Sequence, residues 1–141
     1  MTTPNNFEEI YRIANKYFTE KGNAECVYLF GSFATGKIHS QSDVDFGVLL
    51  DGTVPPDKYF DYRLSTMSDL ARFFHCEVDV IVLNEVSSFL AFQILRDGRR
   101  VYEKQTRANR EFEVKSMMQY YDFTPYRRRC EEALIRRIRQ A

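Results

Sequence analysis

Two short apolar runs on either side of a polar interval constrain this chain more than any other feature. The first, Cys26-Val27-Tyr28-Leu29-Phe30, is apolar and aromatic, and it reads as a buried strand that ends abruptly at Gly31-Ser32. The second opens with Asp43-Val44-Asp45, after the polar stretch Thr35 to Ser42, and runs to Leu50. Val44, Phe46, Val48 and Leu50 fall on one face at the strand period, which leaves Asp43 and Asp45 together on the other. Their Cα atoms are then about 6.5–7 Å apart. Two strands with these ends need a sheet, and the acidic face of the second needs something to hold it.

The flanking sequence supplies helices to cover such a sheet. Asn6 is a good cap, Phe7, Ile10, Tyr11, Ala14 and Phe18 follow at helical spacing, and Gly22 offers a stop. Asp51-Gly52 and Pro55-Pro56 make a loop. A second helix is expected to carry Phe60, Leu64, Met67, Ala71 and Phe74 on one stripe, with Phe60 and Phe74 in the core. Glu77 to Leu83 reads as a third strand, with Val78, Val80 and Val82 alternating against Asp79 and Ile81. A short helix follows from about Ser88 to Arg96, ending near Gly98, and Arg100 to Glu103 reads as an edge strand. From Thr106 the pattern is helical, with a break or bend expected near Pro125. A chain of 141 residues closes one real core.

Composition narrows the function classes. Formal net charge is zero, so the molecule as a whole does not advertise a nucleic-acid or membrane partner. Charge is unevenly placed: the stretch from Tyr126 to Ala141 holds arginines at 127, 128, 129, 136, 137 and 139 against Glu131 and Glu132. A solvated helix face, docking to an acidic protein surface and, last, nucleic-acid binding are the readings of that cluster. Cys26, Cys76 and Cys130 lie far apart without a CxxC pair, which argues against a disulfide framework or a zinc site and for a reducing, cytoplasmic setting. The start from Met1 to Phe7 is polar, so no signal peptide is expected. No apolar run approaches the ~20 residues of a membrane span.

Three carboxylates carry the chemistry. Asp43 and Asp45 repel each other unless a cation sits between them. Magnesium suits the role, being a hard ion that takes one or two carboxylates and completes its shell with water and phosphate. Asp79 lies between Val78 and Val80, where a charge is costly unless it is paired or faces a site. If the strands are neighbours it completes a triad. Gly31 lets the backbone turn sharply and approach a ligand, and the turn's N–H groups with the Ser32 hydroxyl can grip phosphate oxygens. Ser42 either starts the strand or orients Asp43 by a hydrogen bond. His39 and His75 have no metal-ligand partner nearby, and Glu77 reads as a surface residue at the strand entry.

Gly31-Ser32, ten residues, then Asp43-x-Asp45 resembles the signature of the DNA polymerase β-like nucleotidyltransferase superfamily. The segments LFGSFATGKIHSQSDVDFGVLL and EVDVIVLN resemble the minimal nucleotidyltransferases, and EFEVKSMMQYYDFTPYRRR resembles the helical tail of members paired with a HEPN-domain toxin. The resemblance implies an α/β (α+β) fold: a small mixed sheet flanked by helices, with residues 1–104 as the nucleotidyltransferase domain. Residues 105–141 are then a helical extension that packs on the domain or docks a partner. It implies an antitoxin that moves AMP from ATP to a tyrosine of its HEPN toxin, in a hetero-oligomer. Where many relatives carry arginines in the turn, this chain has Phe33 and Thr35, which shifts the phosphate grip to Lys37 or to a residue outside the motif.

On this reading Asp43, Asp45 and Asp79 are both catalytic residues and metal ligands, for two magnesium ions roughly 3.5–4 Å apart. Gly31, Ser32, Lys37 and Ser42 bind the nucleotide. The alternatives are a nucleotidyltransferase for a small molecule or RNA served by a separate substrate-binding subunit, and a non-catalytic antitoxin that works by binding alone. Three clustered acids argue against the last.

Overall fold

The computed structural model describes residues 6–31, 43–104 and 107–140, and within the last of these the side chains other than 108, 122–127, 130, 131 and 140. Helix α1 (Phe7–Lys21) starts where the Asn6 side chain accepts a hydrogen bond from the Glu9 N–H at 2.9 Å. It stops at Gly22, whose φ of +75° turns the chain out while its N–H donates to the Phe18 carbonyl at 3.2 Å. Strands β1 (Ala24–Phe30) and β2 (Val44–Leu50) follow, then a short 3-10 turn at Pro56–Lys58 and helix α2 (Tyr59–Phe74). Strand β3 (Val78–Val82), helix α3 (Ser88–Asp97), strand β4 (Arg99–Glu103) and helix α4 (Arg107–Gln140) complete the order. Ser87 caps α3, its hydroxyl accepting from the Leu90 N–H at 3.3 Å.

The four strands lie in the order β3-β2-β1-β4. β1 pairs antiparallel with both β2 and β4, whereas β2 and β3 run parallel, with α2 supplying the crossover that a parallel pair needs. One face carries Val27, Leu29, Phe46, Val48, Val80 and Val101 under α1 and α2, all fully buried. Phe18 of α1 is fully buried there and meets Phe46 edge-on, ring centroids 6.0 Å apart. Each such side chain contributes about 1.5–3 kcal/mol by leaving water. The opposite face carries a smaller cluster of Cys26, Tyr28, Leu49 and Leu83 with Ile94 of α3.

A polar clamp joins α4 to the sheet on that second face. The Tyr28 hydroxyl donates to Glu113 at 2.5 Å and accepts from Arg100 at 3.1 Å. Arg100 also pairs with Glu113 and, at 2.9 Å, with Glu103.

Two sequence expectations give way. On α2 the buried positions are Tyr62, Thr66, Leu70 and Phe74, while Phe60 is 64% and Leu64 50% exposed. The apolar residues of this helix define two overlapping stripes, and the one that packs is marked by a tyrosine and a threonine. Of the break or bend expected near Pro125, the break is absent, since α4 runs through it to Gln140. A proline removes one backbone donor, and the arginine-rich sequence beyond it, with Glu131, Glu132, Ala133 and Leu134, propagates a helix readily.

Candidate active site

The register of the parallel pair decides the site. Asp45 of β2 lies beside Asp79 of β3, with Val44 beside Val78 and Phe46 beside Val80. Paired residues in a parallel ladder point to the same side, so the valines and Phe46 enter the core while both aspartates stand on the opposite face. Adjacent strands put their Cα atoms about 4.8 Å apart. Asp43 immediately precedes β2, held where the Val44 N–H donates to the Glu77 carbonyl at 3.1 Å. Two residues from Asp45, it shares its side of the sheet. Asp43, Asp45 and Asp79 line one open cleft of about 580 Å³, together with Glu77 and, from α2, Met67, Ser68 and Ala71.

Gly31 closes the end of β1 against this cleft. Phe30 is the partner of Asp45 in the antiparallel ladder, so the residue after it passes directly over the Asp45 side chain. Gly31 has φ of +75°, and a Cβ placed there would collide with Asp45 Oδ2. Only glycine satisfies both the backbone conformation and the space.

The charges are close enough to disturb one another. Burial, then the neighbouring charges of Asp79 and Asp43, push the Asp45 carboxyl up to about 6. The Cys76 thiol is raised as well, first by burial and then by Asp43 and Glu77. A carboxylate so penalised in its charged form is one that a cation would relieve. The donor set is all oxygen, which fits a hard divalent ion. Among the described residues no three acidic, histidine or cysteine side chains already surround a common point. The aspartates share a face rather than form a cage, an arrangement suited to an ion that keeps part of its shell for water and a phosphate ligand.

Of the residues expected at the site, Gly31, Asp43, Asp45 and Asp79 are brought together. Ser32, Lys37, Ser42 and His39 lie outside the described residues. Glu77, read as a surface residue, is exposed and also lines the cleft. Its spacing from Asp79, two residues earlier at the entry to β3, was the signal for that. Ser68 had no signal, because which face of α2 meets the cleft is decided by packing. His75 caps α2 in the left-handed conformation, its N–H donating to Ala71 at 2.9 Å. Tyr120 stacks on Phe92 with centroids 4.0 Å apart, which assigns its ring to packing.

The family described as polymerase beta, nucleotidyltransferase matches residues 12–107. A protein adenylyltransferase MntA of Aphanizomenon flos-aquae is 28% identical over 106 residues, 68% of this chain and 68% of that protein. Its namesake in Shewanella oneidensis is 30% identical over 96 residues, 68% of this chain and 66% of that protein. Among solved structures, a toxin–antitoxin with AMP-PNP superposes with a TM-score of 0.72 at 25% identity, covering 92% of this chain and 99% of that one. A tri-AMPylated Shewanella oneidensis HEPN toxin in complex with MNT antitoxin superposes at 0.67 with 21% identity, covering 92% and 99%, a likeness of fold. No helix among the described residues is long and apolar enough to cross a membrane.

Proposed function

The chain belongs to the polymerase beta nucleotidyltransferase family, and on that premise we propose that it is a protein adenylyltransferase acting as an antitoxin, moving AMP from ATP to a tyrosine of a HEPN-domain toxin. What carries the reading is the pairing of Asp45 with Asp79 on one sheet face, with Gly31 folded over Asp45. The names of its relatives, protein adenylyltransferase, and the toxin–antitoxin assemblies among its structural neighbours support the acceptor. The openness of the cleft suits an acceptor that arrives on another protein.

In this scheme the acceptor tyrosine oxygen attacks the α-phosphorus of ATP. An oxygen–phosphorus bond forms to AMP, the bond to the bridging oxygen of the β-phosphate breaks, and pyrophosphate leaves with that electron pair. Asp43, Asp45 and Asp79 would hold magnesium, which when bound neutralises triphosphate charge and eases loss of the hydroxyl proton. Asp79, at the exposed edge strand, accepts that proton. The Gly31 turn lets the triphosphate approach the backbone, with Ser32, Ser42 and Lys37 as its further contacts. Most of the rate then comes from positioning and charge complementarity.

Incubation with ATP labelled at the α-phosphate and a HEPN protein tests this directly. Label is expected on the HEPN protein with the native chain and not with Asp45→Asn. Equal labelling by both, or transfer of label from the γ-phosphate, contradicts the reading.

A further inference from the structure

Among the described residues, the second half of α4 carries a packing face with nothing beneath it. In its first turns the helix lays Asn109 and Ser116, both buried, and the stacked Tyr120 against the body. Eighteen residues make five helical turns. Leu134 therefore continues the line of Ser116, and Ile138 the line of Tyr120. Yet Leu134 is 59% and Ile138 66% exposed, with Ile135 beside them at 48%. Every side chain from 132 to 139 is exposed. The helix runs on for about 30 Å past Tyr120, at 1.5 Å per residue. A helix supported only by its own hydrogen bonds is marginal in water, so a face of this kind is made to be covered.

The charges around the stripe select what covers it. Arg128, Arg129, Arg136, Arg137 and Arg139 are exposed along the same segment, with Glu132 the one acid among its described side chains. A second copy laid on this face brings a matching set of positive charges, a repulsion that disfavours pairing. Nucleic acid would satisfy the arginines but leave Leu134, Ile135 and Ile138 in water. A protein groove with an apolar floor and a rim of carboxylates satisfies both.

We infer that the C-terminal half of α4 is the docking arm for the acceptor protein, seating Leu134, Ile135 and Ile138 in an apolar groove whose acidic rim meets the arginines. The inference rests on the proposed transfer to a protein hydroxyl and names the surface that recognises that protein. Docking away from the cleft raises the effective concentration of the acceptor hydroxyl at the aspartates without occupying them.

The test uses the full chain with Leu134→Glu/Ile138→Glu, and separately Arg136→Glu/Arg137→Glu, assayed with the HEPN acceptor. These positions are exposed, so the unfolding temperature should hold. The KM for the acceptor is expected to rise about ten-fold or more while kcat at saturating acceptor stays within about two-fold. Co-elution with the acceptor in gel filtration should be lost. An unchanged KM and retained co-elution overturn the arm while leaving the transfer reaction standing. Should the native chain transfer nothing to a HEPN protein, the functional reading fails and co-elution alone decides. Loss in the variants then upholds the arm, and retention overturns it. A native homodimer that the apolar variant splits, with acceptor KM unchanged, assigns the face to a second copy. Displacement of the acceptor by poly(U) from the native chain but not from the arginine variant assigns it to RNA. Either result overturns the proposal.

Discussion

A methyl group at position 31 has nowhere to go. Gly31→Ala meets both the left-handed backbone conformation and the Asp45 carboxylate, and is expected to cost roughly 1–2 kcal/mol of stability. Because relief comes by displacing Asp45, AMP transfer should fall about 10²-fold, read from initial rates with labelled ATP. Asp45 itself makes a paired prediction. Asp45→Asn should lower transfer by ~10³-fold, about 4 kcal/mol of barrier, yet stabilise the cation-free protein at neutral pH. The folded-state pKa of about 6 lies above the ordinary value of 3.8, so the fold holds this proton more tightly than the unfolded chain does. The native protein therefore loses stability as pH rises from about 4 through 6, and no more above that. The unfolding temperature of the Asn variant in chelator should exceed that of the native chain at pH 7 and converge with it below pH 4. An Asn variant less stable at pH 7 would show that Asp45 is a structural anchor. The glycine at position 31 and the acid pair were legible because each belongs to a short pattern at fixed spacing. Ser68 was not, since no local pattern says which side of α2 faces the cleft.

At the scale of elements, the alternation of Val78, Val80 and Val82 around Asp79 sufficed to orient β3. So did Asn6 and Gly22 for the ends of α1. These are local signals, and the structure kept them. The α2 stripe was not legible, because apolar side chains on that helix outnumber the positions the sheet can cover. The difference is measurable. Phe60→Ser on the exposed side should change stability by less than about 0.5 kcal/mol. Phe18→Ala, which empties the space against Phe46, should cost about 3–5 kcal/mol in urea unfolding. Equal costs for the two would put Phe60 back in the core. The polar clamp of Tyr28, Arg100 and Glu113 was equally hidden, since its members lie on three elements far apart in sequence.

Across the whole molecule, a small mixed sheet is asymmetric by design. One face is closed by α1 and α2. The other is shared between α3, the root of α4 and the acidic cleft. The parallel pairing of β2 with β3 converts two aspartates distant in sequence into neighbours, and the proposed reaction asks the remaining chemistry of the nucleotide and the ion it would carry. That claim is tested most directly by electron paramagnetic resonance of Mn²⁺, a stand-in for magnesium, titrated with AMP-PNP into the native chain, Asp45→Asn and Asp79→Asn. The account predicts a bound Mn²⁺–nucleotide signal in the native chain, with affinity reduced about ten-fold or more in each variant. The same affinity in all three would mean that the paired aspartates hold no ion, and the site would have to be sought elsewhere.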